Sequence, residues 1–488
     1  MIELLQSYLA PIMFAGLVVF LLSGYPLAFA LAITGLIFAF IGIELGMLTT
    51  ALLQALPNRI YGIMSNETLL AIPFFTFMGL ILERSRMAED LLHTIGQLFG
   101  PLRGGLAFAG VFVGAILAAT TGVTAASVIS MGLISLPIMQ RYGYDQKIAT
   151  GTILASGTLA QIIPPSLVLI VLSDQLGRSV GDMYHGALVP SLGLITLYTL
   201  YVLVIAVFRP KAVPALPPEA RTLRGLQLVK RILISLVPPL ALIFLVLGTI
   251  LMGLATPTEA GAMGAVGALG LAIVKRRLTL PILKQAMDAT AKLTSFVIFI
   301  LVGASVFSLT FWGVDGDLWV EHLLTSLPGG PLGFLIAVNL LIFVLGFFLD
   351  FFELAFIIVP LVAPVAEVLG IDLVWFGVLL AVNLQTSFLT PPFGFALFYL
   401  RSVAPKEDYT DSITGRLVKY IPTERIYLGV LPFLALQLIM VGLIITFPEL
   451  VTGVDQGAAV DPADVDIDIP AGDMGLDGGD EPPPITFD

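Results

Sequence analysis

Two adjacent prolines in the middle of an apolar run cannot sit inside a continuous helix. Gln161-Ile162-Ile163-Pro164-Pro165-Ser166 lies within the stretch from Ile148 to Leu172. Each proline lacks an N–H, so the carbonyls of Ala160 and Gln161 lose their usual helical partners. In a bilayer, freed backbone groups persist only where protein, water or an ion satisfies them. The arrangement recurs 227 residues later, in Phe388-Leu389-Thr390-Pro391-Pro392-Phe393-Gly394. A broken helix at membrane depth, once in each half, points to an ion or substrate site.

The remainder of the chain supplies the membrane frame for these breaks. With 58% hydrophobic and 12% charged residues, it reads as an all-α polytopic membrane protein in contact with the lipid bilayer. Absence of cysteine excludes a disulfide framework or a thiolate metal site. Met1 to Ala10 carries no Lys or Arg, which argues against a cleavable signal peptide. The net charge of -11 is local: residues 451–488 hold ten Asp or Glu and no Lys or Arg, leaving -1 for the rest. That acidic, Gly- and Pro-rich tail is expected to be disordered.

Apolar segments run at 8–22, 26–43, 68–82, 105–139, 148–173 and 186–208. A hydrophilic linker follows at 209–231, with four Pro and six Lys or Arg. The pattern resumes at 232–252, 257–274, 293–312, 331–369, 373–400 and 426–447, and amphipathic pieces near 47–63 and 278–291 read as interfacial helices. Gly104 to Ala119 gives only about 24 Å of helix, short of the roughly 30 Å hydrocarbon core. The small polar stretch Thr120-Thr121-Gly122-Val123-Thr124 follows, so the region reads as a re-entrant hairpin. Residues 331–369 repeat the form, with a tip at Gly346-Phe347-Phe348-Leu349-Asp350-Phe351-Phe352-Glu353.

Charge sets the orientation. Arg84, Arg86 and Arg103 precede the first hairpin and Arg141 and Lys147 follow it, so it opens to the cytoplasm. The second, preceded by Asp315, Asp317 and Glu321, opens outward. The N-terminus and the acidic tail fall outside the inner membrane. At an offset of 227, Asp90 meets Asp317, Pro101 meets Pro328, Pro137 meets Pro364, Gly143 meets Gly370 and Asp145 meets Asp372. Each half counts five crossings and one hairpin; five is odd, so the halves are inverted repeats. The expected division is 1–208 (hairpin 104–140, broken helix 147–173), linker 209–231, 232–450 (hairpin 331–369, broken helix 373–402) and tail 451–488. Inverted repeats with broken helices are the signature of a secondary transporter.

Ser156, Thr158 and Gln161 precede the first break; Asn383, Gln385, Thr386 and Ser387 precede the second. Hydroxyl, amide and backbone oxygens suit a hard cation such as Na⁺. Hydroxyls beside Gly122 suit ion ligation, though small residues also serve close helix packing. Asp350 and Glu353 have two readings: intramembrane carboxylates that take part in transport, or caps of a half-helix. Thr256-Pro257-Thr258-Glu259 reads as a capping box. His93, His185 and His322 are isolated, no phosphate-binding G-x-x-x-x-G-K-[ST] occurs, and no nucleophile–base pair suggests an enzyme. No nucleic-acid partner is expected.

Taken together, several stretches resemble the large membrane subunit of tripartite ATP-independent periplasmic (TRAP) transporters. They are Gly24-Tyr25-Pro26-Leu27-Ala28-Phe29-Ala30, Thr120-Thr121-Gly122, Ile163-Pro164-Pro165-Ser166, Thr256-Pro257-Thr258-Glu259-Ala260 and Thr390-Pro391-Pro392-Phe393-Gly394. The resemblance covers about residues 1–450. It implies an elevator-type fold, Na⁺ coupling, a small four-helix membrane subunit, and a periplasmic binding protein that delivers an organic acid. One Na⁺ site would then draw on Thr120, Thr121, Gly122 and Thr124 with Ala160, Gln161 and Pro164. A second would draw on Leu349, Asp350 and Glu353 with Ser387, Phe388, Thr390 and Pro391. Ser156, Thr158, Ser166, Asn383, Gln385, Thr386 and Gly394 are the candidates for substrate contact. A stand-alone sodium–dicarboxylate symporter, or an ion channel, is the alternative reading.

Overall fold

Helices account for nearly all of the regular structure, as an apolar chain that must satisfy its own backbone requires. The structure is a computed structural model, and it describes residues 6, 8–85, 87–223, 225–411 and 413–453. Most of the acidic tail expected at 451–488 therefore lies outside the described residues. The first half contains α1 (Leu9–Leu22), α2 (Leu27–Glu44), α3 (Leu56–Met64), α4 (Ala71–Arg84), α5 (Met87–Phe99), α6 (Gly105–Thr121), α7 (Thr124–Arg141), α8 (Gln146–Thr158), α9 (Leu167–Gln175) and α10 (Val180–Phe208). The second contains α11 (Gly225–Leu251), α12 (Pro257–Val274), α13 (Leu280–Gly313), α14 (Gly316–Thr325), α15 (Gly330–Leu345), α16 (Phe351–Ile357), α17 (Val359–Val368), α18 (Leu373–Leu389), α19 (Phe395–Val403) and α20 (Thr423–Thr446). Among the described residues, six single helices are long and apolar enough to cross a membrane: α2, α10, α11, α12, α13 and α20.

Helices stop at both tips and at both Pro-Pro pairs: α6 ends at Thr121 and α7 starts at Thr124, α15 ends at Leu345 and α16 starts at Phe351, α8 and α9 are separate, and α18 ends at Leu389 before α19. Adding 227 to the bounds of α7 gives 351–368, the outer bounds of α16 and α17 together. The matched residues also do matched work. Asp145 and Asp372 are the N-caps of α8 and α18, accepting from Lys147 N and Trp375 N at 2.8 and 2.7 Å. Gly143 and Gly370 take φ of +78° and +70°, a left-handed conformation that favours glycine where a helix ends. The box at the head of α12 also forms: Glu259 Oε2 accepts from Thr256 N at 2.8 Å, and Thr256 Oγ1 from Glu259 N at 3.2 Å.

Three expectations change. The interfacial helix at 278–291 and the span at 293–312 fuse into the 34-residue α13, because the first glycine after Pro281 is Gly303 and nothing breaks the helix between them. In the first half, by contrast, Ser65-Asn66-Glu67 separates α3 from the helical stretch beginning at Thr68, with a 50° bend. The linker 209–231 is shorter than expected, since α11 begins at Gly225. It is also not free: Val213 O accepts from Gly104 N (2.9 Å) and Ala212 O from Asp145 N (2.8 Å), so it ties down both ends of the first hairpin. Third, α5 and α14 are amphipathic helices in segments to which the hydropathy pattern assigned no element.

Packing links the halves in reciprocal pairs. Helix α2 packs on α13 while α12, the counterpart of α2, packs on α4; α1 packs on α14 while α11 packs on α5. The arm α7 packs on α19, and its counterparts α16 and α17 pack on α9. Backbones approach closely at glycine, as expected where lipid offers no hydrophobic drive between helices. A Cβ on Gly35 would lie 2.8 Å from Val306 O, and Thr310 Oγ1 donates to Gly35 O at 2.9 Å.

The second half carries an insertion without a counterpart. Between α19 and α20, β1 (Tyr409–Thr410) and β2 (Leu417–Val418) pair antiparallel, with Tyr409 opposite Val418. Asp411, with its side chain 5% exposed, receives Arg141 Nη2 at 2.8 Å from the end of α7. The Arg141 hydrogen bond, helped by Thr414, holds the Asp411 carboxyl well below the usual carboxylate range. Its stabilising contribution is therefore complete above the ordinary carboxylate pKa and is lost as pH falls through the lowered value. With Arg141→Ala, tryptic cleavage at Arg416 and Lys419 should be faster than in the unmodified chain at neutral pH. Equal rates would show that the insertion holds without the pair.

Candidate cation and substrate site

The first tip is made by α6 ending on two threonines and a glycine. Gly122 adopts φ +60° and its N–H donates to Ala118 O at 2.9 Å, which closes α6 and turns the chain into α7. Thr120 Oγ1 donates to Leu117 O (2.9 Å), and Thr121 Oγ1 lies 2.9 Å from Leu117 O and 2.8 Å from Ser127 Oγ. Thr120, Thr121 and Thr124 are all buried. Opposite them, α8 gives way to a 3-10 turn over Leu159–Gln161, and helix resumes only at Leu167. The Pro164–Pro165 bond is cis, as is Pro391–Pro392. One carbonyl freed by the prolines is taken locally, because Ser166 Oγ donates to Gln161 O at 2.7 Å.

Tip and break meet. A Cβ on Gly122 would lie 3.4 Å from both Pro165 O and Leu167 Cγ. The Gln161 side chain is 1% exposed, and neither its amide nitrogen nor its oxygen has a hydrogen-bond partner. An unpaired buried amide costs about 1–3 kcal/mol and calls for an explanation. These hydroxyl, amide and carbonyl oxygens fit a hard cation.

The second tip is built differently. Asp350 Oδ1 accepts from Phe351 N at 2.7 Å, and Glu353 Oε2 accepts from Asp350 N at 2.9 Å, forming a capping box on α16. Both carboxylates thus hold a half-helix end in this conformation. Gly346 abuts the Ser387 side chain. Phe348 packs on Phe393 with ring centroids 5.6 Å apart, and Phe347 on the same ring at 6.4 Å. At the break, Thr390 Oγ1 donates to Thr386 O (2.8 Å) and Ser387 Oγ to Leu384 O (2.8 Å). Leu349 is half-buried at the tip, Phe388 is buried, and Pro391 follows the end of α18. Backbone approach at Gly122 joins the first tip to its break, its hydroxyls bonding within the hairpin; aromatic rings join the second.

The seven substrate candidates lie inside the protein. Ser156, Thr158, Ser166, Gln385 and Thr386 are 0% exposed and Asn383 is 3%; Gly394 is buried too. Ser166 holds Gln161 O, and Asn383 Nδ2 donates to Asn339 O at 2.7 Å. Gln385 Nε2 donates to Thr158 Oγ1 at 3.3 Å, and these residues are 227 apart, so they are counterparts in the two halves. The side chains open at the second break are instead Phe348 and Phe393, 61% and 46% exposed.

The tips also touch the flanking helices. Gly79 on α4 lies against the backbone of Thr121, and Ser130 Oγ on α7 donates to Glu83 Oε1 on α4 at 2.9 Å. At the other end Asn66 Nδ2 donates to Asp174 Oδ1 at 2.7 Å. Among the described residues no three His, Asp or Glu side chains gather as a transition-metal site would require.

Residues 14–450 match the family described as tripartite ATP-independent periplasmic transporter, DctM component. The C4-dicarboxylate TRAP transporter large permease protein DctM of Pseudomonas aeruginosa is 30% identical over 400 residues, 81% of this chain and 88% of that protein. The sialic acid TRAP transporter large permease protein SiaM of Vibrio cholerae is 28% identical over 434 residues, 88% and 95% of the two chains. The 2,3-diketo-L-gulonate TRAP transporter large permease protein YiaN of Escherichia coli is 28% identical over 393 residues, 80% and 89%. Among solved structures, the Alcanivorax borkumensis YdaH transporter, described as having an unusual topology, aligns with a TM-score of 0.56 at 14% identity, over 82% of this chain and 88% of that one. At that identity the likeness concerns the fold alone.

Proposed function

The chain belongs to the tripartite ATP-independent periplasmic transporter family as a DctM component, the large permease, and on that premise we propose that it takes up an organic acid across the inner membrane, driven by Na⁺. The observation that carries the reading is the contact of each tip with a Pro-Pro break, Gly122 on Pro165 and Phe348 on Phe393. One Na⁺ would be held by Thr120, Thr121, Gly122 and Thr124 with Ala160, Gln161 and Pro164. The other would be held by Leu349, Asp350 and Glu353 with Ser387, Phe388, Thr390 and Pro391. In the first set a cation would give the otherwise unpaired Gln161 Oε1 a partner.

Helix ends provide for the anion. The N-terminus of α16 carries its own carboxylates, Asp350 and Glu353, whereas those of α7, α9 and α19 have no side-chain cap. Uncapped N–H groups with the positive end of the helix dipole favour a substrate carboxylate. The two halves would be inverted, with hairpins and broken helices moving as one body against α1–α5 and α11–α14. Reciprocal packing of α7 on α19 and of α16 on α9 supports such a body. A small membrane subunit and a periplasmic binding protein would complete the system.

The test is uptake in proteoliposomes holding the full chain and its small membrane partner. C4-dicarboxylate, sialic acid and 2,3-diketo-L-gulonate would be offered with and without a cognate binding protein and a Na⁺ gradient. Uptake of an organic acid should require both. Uptake without any binding protein would replace this reading by a self-sufficient symporter, and a substrate-independent current by a channel.

A further inference from the structure

A cleft of about 980 Å³ separates the arm α7 from the ends of α4, α5 and α11 and the start of α13. Its two walls are chemically unlike. Arg84, Arg231 and Arg277 line one side together with Glu89, Asp90 and His93, while Leu133, Ile134 and Ile138 of α7 line the other, with Arg141 at its end committed to Asp411. Asp90 lies between two of the guanidiniums, 3.0 Å from Arg277 Nη2 and 3.5 Å from Arg231 Nη2. Arg84 places Nη1 on the neutral Gln285 and leaves its buried Nε without an acceptor. Arg231 keeps 49% of its side chain exposed and has Asp90, at the outer limit of contact, as its ion-pair partner. On the apolar wall Leu133 is 59% exposed.

A small dicarboxylate in this cleft would meet the guanidiniums and leave Leu133, Ile134 and Ile138 facing water. An occupant with an anionic head and a hydrocarbon tail satisfies both walls. Basic pockets between membrane helices take anionic lipid head groups for that reason, at roughly fivefold in affinity per basic residue near the surface. We infer that the cleft between α7 and the ends of α4 and α11 binds an anionic phospholipid, its phosphate on Arg84 and Arg231 and an acyl chain along Leu133, Ile134 and Ile138. The site does not depend on Na⁺ coupling or on which organic acid is carried. It sets a lipid between the hairpin arm and the helices it packs beside.

The full chain, purified and delipidated, is incubated with phosphatidylglycerol or phosphatidylcholine, and retained lipid is read by native mass spectrometry. The unmodified chain should retain phosphatidylglycerol in preference to phosphatidylcholine. The double variant Arg84→Gln/Arg231→Gln should bind phosphatidylglycerol about twenty-five-fold more weakly, two guanidiniums at roughly fivefold each. Leu133→Gln, at a side chain already exposed, should weaken it independently and keeps the test valid if the double variant does not fold. Equal retention of the two lipids overturns the proposal. So does phosphatidylglycerol binding unchanged in Leu133→Gln, or glycerophosphate competing as well as the lipid itself, either of which would leave a plain anion site.

Discussion

In a chain carrying Thr121→Val, the Na⁺ concentration that half-saturates uptake should rise about tenfold or more, with the melting temperature little changed. Valine keeps the shape of threonine and removes the one atom that lies between Leu117 O and Ser127 Oγ at the tip facing Pro165. Loss of a hydroxyl ligand or hydrogen bond of this kind costs about 1–1.5 kcal/mol, close to a factor of ten. Thr121→Ser retains the hydroxyl and should restore most of the Na⁺ affinity, which a purely packing role for Thr121 would not predict. Thr196→Val, at an exposed hydroxyl on α10, serves as the control that should change nothing. Titration of proteoliposome uptake with Na⁺ decides it. An unchanged half-saturation in Thr121→Val would remove the first tip from the coupling machinery.

The second large effect is on folding. Gly151→Leu should lower the melting temperature of the purified chain steeply or prevent a monodisperse product altogether. Helices α8 and α20 cross backbone to backbone: a Cβ on Gly151 would meet Gly429 O and lie 2.9 Å from Phe433 Cε2. The contact is mutual, since a Cβ on Gly429 would lie 2.7 Å from Thr150 Oγ1. A leucine must push α20 away from the helix that carries the first break, and overpacking of this kind costs about 1–3 kcal/mol or more. Gly442, in the same α20, has nothing within 4 Å of its would-be Cβ. Gly442→Ala should be neutral or slightly stabilising, because alanine holds a helix better than glycine. Size-exclusion and thermal-melting profiles of the two variants separate the crossing from glycine content. Equal profiles would mean that the crossing is not close-packed in the membrane.

Several matches read from sequence turn out to be positions where the backbone leaves few choices. Asp145 and Asp372 cap helices, Gly143 and Gly370 take positive φ, and the two Pro-Pro pairs interrupt helices. Each of these is a local requirement, so the residue type alone announces it. The fusion of 278–291 with 293–312 was not announced, because an interfacial helix and a span differ only in where they sit and not in local propensity. The inward burial of Thr158 and Gln385 was equally hidden. Only the packed chain places them against each other, Gln385 Nε2 on Thr158 Oγ1.

By itself, then, the sequence determined the membrane class and where the helices are interrupted, since these follow from hydropathy, missing N–H groups and glycine φ. Tertiary structure decided what each element meets. It put Gly122 on Pro165, turned Asp350 and Glu353 into the cap of α16, and joined the second tip to its break through Phe348 and Phe393. The physical reason is that ligation, capping and ring packing are contacts between segments distant in sequence or between an end and its neighbour. Composition and spacing fix which groups are present, but only the packed chain fixes which of them are already satisfied.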